Sequence, residues 1–201
     1  MRKLIVSEWM TLDGVVQSPT SPTEDDEAGF KNGGWHAPHA SDPMFRKSVE
    51  ETVNGAGGFV LGRRTYLNFA AYWPNAPKDV ASLAKPLNTR PKYVASTTLG
   101  DDLSWQNSTL LQGDVAERVA SLKRQDTDYL LVVGSTTLVH YLMQHNLVDE
   151  FRLMIDPVLV GGGKRIFPDD GALRSLRLVN SKSTPTGAVL VTYERSKPEV
   201  D

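Results

Sequence analysis

The feature that most constrains this sequence is a transition that recurs along it. An apolar run of strand length ends in glycine, hydroxyl or arginine residues, and a segment of helical period follows. Gly58-Phe59-Val60-Leu61-Gly62 passes into Arg63-Arg64-Thr65-Tyr66, and Tyr129–Val133 passes into Gly134-Ser135-Thr136-Thr137. Lys92–Ser96 closes in the same way on Ser96-Thr97-Thr98. Short apolar strands that alternate with helices must bury both sheet faces, which predicts an α/β domain with parallel pairing.

The other elements fit that frame. Lys3–Thr11 is a first strand. Asp13–Ser41 is polar and rich in glycine and proline, with the acidic run Glu24-Asp25-Asp26-Glu27, and reads as one long loop. Loops of that length in a compact domain are usually functional or disordered. Pro43–Asn54 is a helix with Asp42 as N-cap and proline at its first position. Arg64–Tyr72 is a helix stopped by Pro74, and Val80–Leu87 is a shorter one. Thr109–Leu111 is a weak strand. Asp114 opens a helix with Glu117 in capping-box position. Ser135–His145 is a helix, and Glu150–Ile155 a strand of alternating polarity. Leu176–Val179 and Val189–Tyr193 form an antiparallel closing pair. Residues 1–195 make one domain, and 196–201 are expected to fray.

Composition excludes several classes of function. A net charge of -2 gives no broad nucleic-acid footprint, and the four tryptophans are not interleaved with basic residues. The absence of cysteine removes disulfides and thiolate chemistry, in keeping with a cytoplasmic protein. No segment has the length and apolarity of a signal peptide or a membrane span. His36 and His39 flank Pro38 with only Asp42 nearby at ligand spacing, so no metal site is expected.

The strand ends carry the chemistry. Free N–H groups at a helix start and the helix dipole favour an anion, and arginine adds charge-assisted donors suited to phosphate. Gly62, Arg63, Arg64 and Thr65 have that composition, and a solvated arginine pair near a turn fits them too. Gly134 lets a ligand approach closely, and Ser135, Thr136 and Thr137 offer hydroxyls; Ser135 also fits an ordinary N-cap. Ser96 and Thr97 make a third such end. Ligands of open α/β sheets bind outside the carboxyl ends of the strands, so these ends are read together. Gly161-Gly162-Gly163 lacks the strand–helix context of a dinucleotide fingerprint.

The ordered set Leu12-Asp13-Gly14-Val15-Val16, Leu61-Gly62-Arg63-Arg64-Thr65-Tyr66, Val94-Ala95-Ser96-Thr97 with Asp101-Asp102-Leu103-Ser104-Trp105, Val133-Gly134-Ser135-Thr136 and Ile166-Phe167-Pro168-Asp169 resembles the dihydrofolate reductase superfamily. Asn146-Leu147-Val148-Asp149-Glu150 is similar to the reductase half of the riboflavin-biosynthesis deaminase–reductases and their stand-alone relatives. The resemblance implies a three-layer sandwich, with a mixed, mostly parallel central sheet flanked by helices and an antiparallel C-terminal hairpin. It implies NADPH as cofactor, with Arg63 on the 2′-phosphate, Ser96 and Thr97 on the adenosine side, and Arg64 and Thr65 on the pyrophosphate. Gly134 and Ser135 match a Gly-Gly pair that is often cis in the family. Serine at the second position departs from it and leaves the isomer open, since a non-proline cis bond is costly. Asp13, Gly14 and the loop to Trp35 match the loop that closes over the nicotinamide.

Reduction of a C=N or C=O bond needs a proton beside the hydride. The candidate acids are Asp42, which also suits an N-cap, and Asp13, which also suits a turn. Gly14, Trp35 and Lys164 are candidate substrate contacts, and Lys164 equally suits a surface lysine. The expectation is an NADPH-dependent reductase of a ribosylaminopyrimidine or pteridine, working as a cytoplasmic homodimer without a nucleic-acid or membrane partner. The alternative is a nucleotide-binding regulatory module on the same fold that has lost catalysis.

Overall fold

The computed structural model describes residues 1–125 and 128–196. The chain runs β1 (Leu4–Thr11), α1 (Pro43–Gly55), β2 (Gly58–Gly62), α2 (Arg63–Tyr72), α3 (Ala81–Thr89), β3 (Lys92–Ala95) and β4 (Ser108–Leu110). It continues through α4 (Val115–Lys123), β5 (Leu130–Val133), α5 (Thr136–Gln144), β6 (Glu150–Asp156), β7 (Leu176–Ser183) and β8 (Val189–Arg195). The strands form one 8-stranded sheet in the order β4-β3-β2-β5-β1-β6-β8-β7. Pairing is parallel from β4 to β6, and the β6–β8 and β8–β7 pairs are antiparallel. This is the expected sandwich with its C-terminal hairpin.

Alternation along the strands makes two cores. Leu4, Val6 and Met10 of β1 face Val119 of α4 and Leu138, Val139 and Leu142 of α5. Ile5 faces the other way, with Phe59, Leu61 and Leu131, against Val53 of α1, Tyr66 of α2 and Leu87 of α3. Each such fully buried side chain contributes about 1.5–3 kcal/mol. Lys92 is buried within the second layer. Its ammonium donates to the carbonyls of Leu87 and Arg90, each at 2.9 Å, and lies 4.4 Å from the Trp105 ring centroid. Burial pulls its pKa down to about 8. The contact fastens the end of α3 to β3.

One expectation changes. The closing strands are longer than expected, because β7 continues through Asn180, Ser181 and Lys182 to Ser183 and β8 reaches Arg195. An edge hairpin is held by its backbone ladder, so polar residues extend it without loss, past an irregularity between Leu178 and Asn180. The segment 13–41 is a loop, but much of it folds inward. Val15, Val16, Trp35 and His36 are buried, and Gly34 N–H donates to the Ser18 carbonyl at 2.8 Å. Of the tail expected to fray, Ser196 donates to the Ser175 carbonyl at 3.0 Å, and 197–201 lie outside the described residues.

Candidate functional site

The chain leaves β2 into α2, on the face of α1 and α3, and leaves β5 into α5, on the opposite face. Adjacent strands whose connections part in this way open a crevice at their carboxyl ends. A cavity of about 810 Å³ lies there. Its walls include Gly62, Arg63, Arg64, Thr65, Ser96, Thr97, Ser135, Thr136, Thr137 and Lys164. The structure therefore brings together all the residues expected on the cofactor side except Gly134, which borders the cavity through Ser135.

Among the described residues the starts of α2, α3 and α5 lack a side-chain cap, and those of α2 and α5 open on the cavity. α1 is capped by the Asp42 carboxylate, which accepts from Met44 N–H at 2.9 Å, and α4 by Asp114, which accepts from Glu117 N–H at 3.0 Å. α2 and α5 have no side-chain cap. Their first N–H groups are the orphan donors of a helix start, set at one cavity. Ser135 does not cap α5. Its hydroxyl accepts from Gly62 N–H at 2.9 Å and donates to Thr65 Oγ1 at 3.0 Å, so it joins the two helix starts. Gly134 and Ser135 both have left-handed backbone, at φ 61° and 64°, and the peptide between them is trans. A Cβ on Gly134 would approach Thr65 Oγ1 to 3.0 Å, so the position is closed to larger residues on two grounds.

The cations of the cavity are not equivalent. Among the described residues, no carboxylate forms an ion pair with Arg63, which is exposed. Arg64 is paired with Asp25 at 3.0 Å and Glu27 at 2.5 Å. Lys164 holds Asp25 at 2.5 Å and also pairs with Glu27. The hydrogen bonds from Arg64 and Lys164 draw the Glu27 carboxyl down to about 2. Because this pKa is depressed, the tie is complete above the ordinary value of 4.5 and is lost as pH falls toward about 2. Burial raises Asp25, and the Lys164 hydrogen bond with neighbouring positive charge outweighs it, so this group also titrates below its usual range. Glu27→Gln should loosen Arg64 and Lys164, which Asp25 still holds, and on the reading that the cavity seats a nucleotide should tighten its binding by no more than about fivefold. Weaker binding of NADPH in a titration of that variant would contradict this reading.

Comparison with known proteins follows the same lines. The profile of the RibD C-terminal domain family matches residues 2–190. The chain belongs to the RibD C-terminal domain family. An uncharacterized Bacillus subtilis protein, YyaP, is 25% identical over 198 residues, which is 96% of this chain and 94% of that one. A Shewanella sp. PV-4 crystal structure, whose given name refers to riboflavin biosynthesis, superposes with a TM-score of 0.68 at 20% identity, over 97% of this chain and 99% of that chain. A pyrimidine reductase-like protein from Corynebacterium diphtheriae gives 0.62 at 11% identity, over 98% and 92% of the two chains. Acinetobacter baumannii RibD also gives 0.62, at 12% identity over 98% of this chain and 59% of that longer one. At these identities the three structures establish the fold alone.

Within this RibD C-terminal domain, of the residues expected at the substrate only Lys164 lines the cavity. Asp42 is buried, and both of its oxygens are engaged. Oδ1 caps α1, and Oδ2 accepts from the Thr186 hydroxyl at 3.2 Å. Asp13 accepts from Thr11 Oγ1 at 2.5 Å and from Gly161 N–H at 2.9 Å, and so pins the segment after β6; the Thr11 bond leads in lowering its pKa. Both carboxylates thus serve as structural ties. Gly14 turns the chain at φ 84°. Trp35 is buried and donates from Nε1 to the Gln17 carbonyl at 2.8 Å, inside the folded loop. Lys164 stands on the cavity wall, in the ion-pair cluster with Asp25 and Glu27, and its backbone is tied to Val16 and Gln17 of the loop.

Two buried polar features were not singled out from the sequence. Glu8 is buried in β1, and the Asp156 carboxylate at the end of β6 accepts from His36 Nδ1–H at 2.8 Å. Glu8 carries a sequence signal, because it is the one ionised residue type inside the apolar run Leu4–Thr11. The His36–Asp156 pair joins positions far apart in the chain and carries none.

Proposed function

We propose that this chain is an NADPH-dependent reductase of a small heteroaromatic substrate, a ribosylaminopyrimidine or a pteridine. The observation that carries the proposal is the pair of uncapped helix starts, α2 and α5, at one cavity with an unpaired Arg63 at its rim. A dinucleotide with an extra phosphate fits this set of donors. Arg63 takes the 2′-phosphate. The amide groups of α2 and α5, with Thr65, Ser135 and Thr136, take the pyrophosphate, and Ser96 and Thr97 lie on the adenosine side. The name of the Corynebacterium relative, a pyrimidine reductase-like protein, favours a pyrimidine as substrate.

Bound in this cleft, NADPH supplies hydride. The chain contributes placement and the exclusion of water, with 13–41 as the covering segment. Fluorescence titration with NADPH, and with NADH in parallel, tests the reading. NADPH is expected to bind roughly 10- to 150-fold tighter, the worth of a charge-assisted phosphate contact. Equal affinity, or no binding, sinks the reductase reading. NADPH binding without oxidation by either a phosphoribosylaminouracil or dihydrofolate favours the regulatory module.

A homodimer belongs to the same proposal. β7 is an exposed sheet edge bearing Leu178 and Val179 at 50% and 47% exposure, and a second copy meeting it across a two-fold axis would cover that liability. A monomeric mass in solution removes this part alone.

A further inference from the structure

A reductase of a C=N or C=O bond needs a proton as well as a hydride, and the two acids that the sequence offers are already committed. Asp42 holds a helix start and Thr186, and Asp13 holds Thr11 and Gly161. Glu8 is different. The β1–β5 ladder ends at Ser7 and Val133, and beyond that pair β5 peels away into Gly134. Glu8 is the next residue of β1, at the point where the two strands part. It is 6% exposed, with the backbone N–H of Gly134 beside its carboxyl group. Its Oε1 is fully buried and has no hydrogen-bond partner.

An orphaned carboxyl oxygen at that depth costs free energy unless something meets it. A neutral carboxyl carries its proton on one oxygen, and the buried Oε1, which has no partner among the described residues, is free to hold it. From this placement, and resting on the reductase reading above, we infer that Glu8 is the acid that supplies the proton for the reduction. Oε1–H gives its proton to the nitrogen or oxygen of the substrate double bond, while hydride from the dihydronicotinamide reaches the carbon. The C=N or C=O bond is reduced to an amine or alcohol, and the cofactor is oxidised. Glu8 is left as carboxylate and regains its proton from solvent.

Burial supports the role. It pushes the Glu8 carboxyl well above the usual range, the Gly134 N–H pulls it back in part, and Glu24 of the loop adds repulsion in the raising direction. A carboxyl whose pKa is raised in this direction suits general-acid catalysis.

The test compares wild type with Glu8→Gln and Glu8→Asp. Glutamine keeps the acceptor for Gly134 N–H and the shape, but has no proton to give. Infrared difference spectra of the wild-type protein at neutral pH should contain a protonated-carboxyl band that is missing from Glu8→Gln. NADPH affinity should stay within about twofold in Glu8→Gln, while NADPH oxidation by the phosphoribosylaminouracil falls by about 100- to 10,000-fold. The alkaline limb of kcat/KM should vanish in Glu8→Gln and persist in Glu8→Asp at a lower rate. No such band in wild type, or a Glu8→Gln enzyme with unchanged rate and pH profile, overturns the inference and leaves the reductase reading intact. Failure of wild type to bind NADPH overturns both.

Discussion

Asp156→Ala is expected to lower the stability of the fold by about 3–5 kcal/mol, the usual result of removing one member of a buried polar pair. Asp156 ends β6, opposite Thr11 of β1, and is fully buried. Its partner His36 comes from the loop before α1. The imidazole is stacked on Trp9 with ring centroids 4.6 Å apart and lies 4.3 Å from the Phe45 ring. Removing the carboxylate leaves Nδ1 in an apolar pocket without a partner, and His36 Nε2 already lacks one. The same change should loosen the loop, since His36 is where 13–41 inserts into the fold. Denaturant melts and limited proteolysis would show both effects, with faster cleavage before residue 42. Asp156→Asn keeps an oxygen for Nδ1–H and should lose much less. If alanine costs under about 1 kcal/mol, the pair is not what anchors the loop.

Arg63→Ala should weaken NADPH binding by roughly 10- to 150-fold, corresponding to about 1.5–3 kcal/mol for a charged hydrogen bond to phosphate, and leave NADH unchanged. The contrast with Arg64 sharpens the expectation. Arg64 is already satisfied by Asp25 and Glu27, so part of what it offers an anion is offset by what it gives up. Arg64→Ala should therefore cost less than Arg63→Ala. Arg63→Lys should recover only part of the preference, because an ammonium lacks the planar fork that meets two phosphate oxygens. A loss shared equally by NADPH and NADH would move Arg63 away from the 2′-phosphate.

Much of the fold was legible because its signals are local. β2 runs from Gly58 to Gly62 as expected, since a fully apolar run bounded by glycine leaves little choice. The Asp42 and Asp114 caps are likewise written within a few residues of the helices they start. The cofactor-side residues could be grouped because each lies at a strand end, and parallel strands bring such ends together. What stayed hidden depends on long-range contact. That Asp25 and Glu27 reach Arg64 and Lys164 follows from how the loop folds back, which no periodicity reports. The unpartnered Oε1 of Glu8 lies one residue past the end of the β1–β5 ladder, a long-range arrangement no local pattern reports. Asp42 and Asp13 offered two roles each from the sequence, and only their engaged oxygens show that the structural role occupies both.

The hydroxyl of Ser135 has one more consequence. By holding Gly62 N–H and Thr65 Oγ1 together, it fixes the gap between the starts of α2 and α5. Two anion seats at a set separation act as a gauge of ligand length. A molecule with a single phosphate fills one seat and leaves the other to water, whereas a linked diphosphate spans both without further ordering of the chain. On the proposed reading Ser135 thus turns a pair of ordinary helix ends into a measuring device, and its loss should blunt discrimination by size more than affinity for phosphate itself.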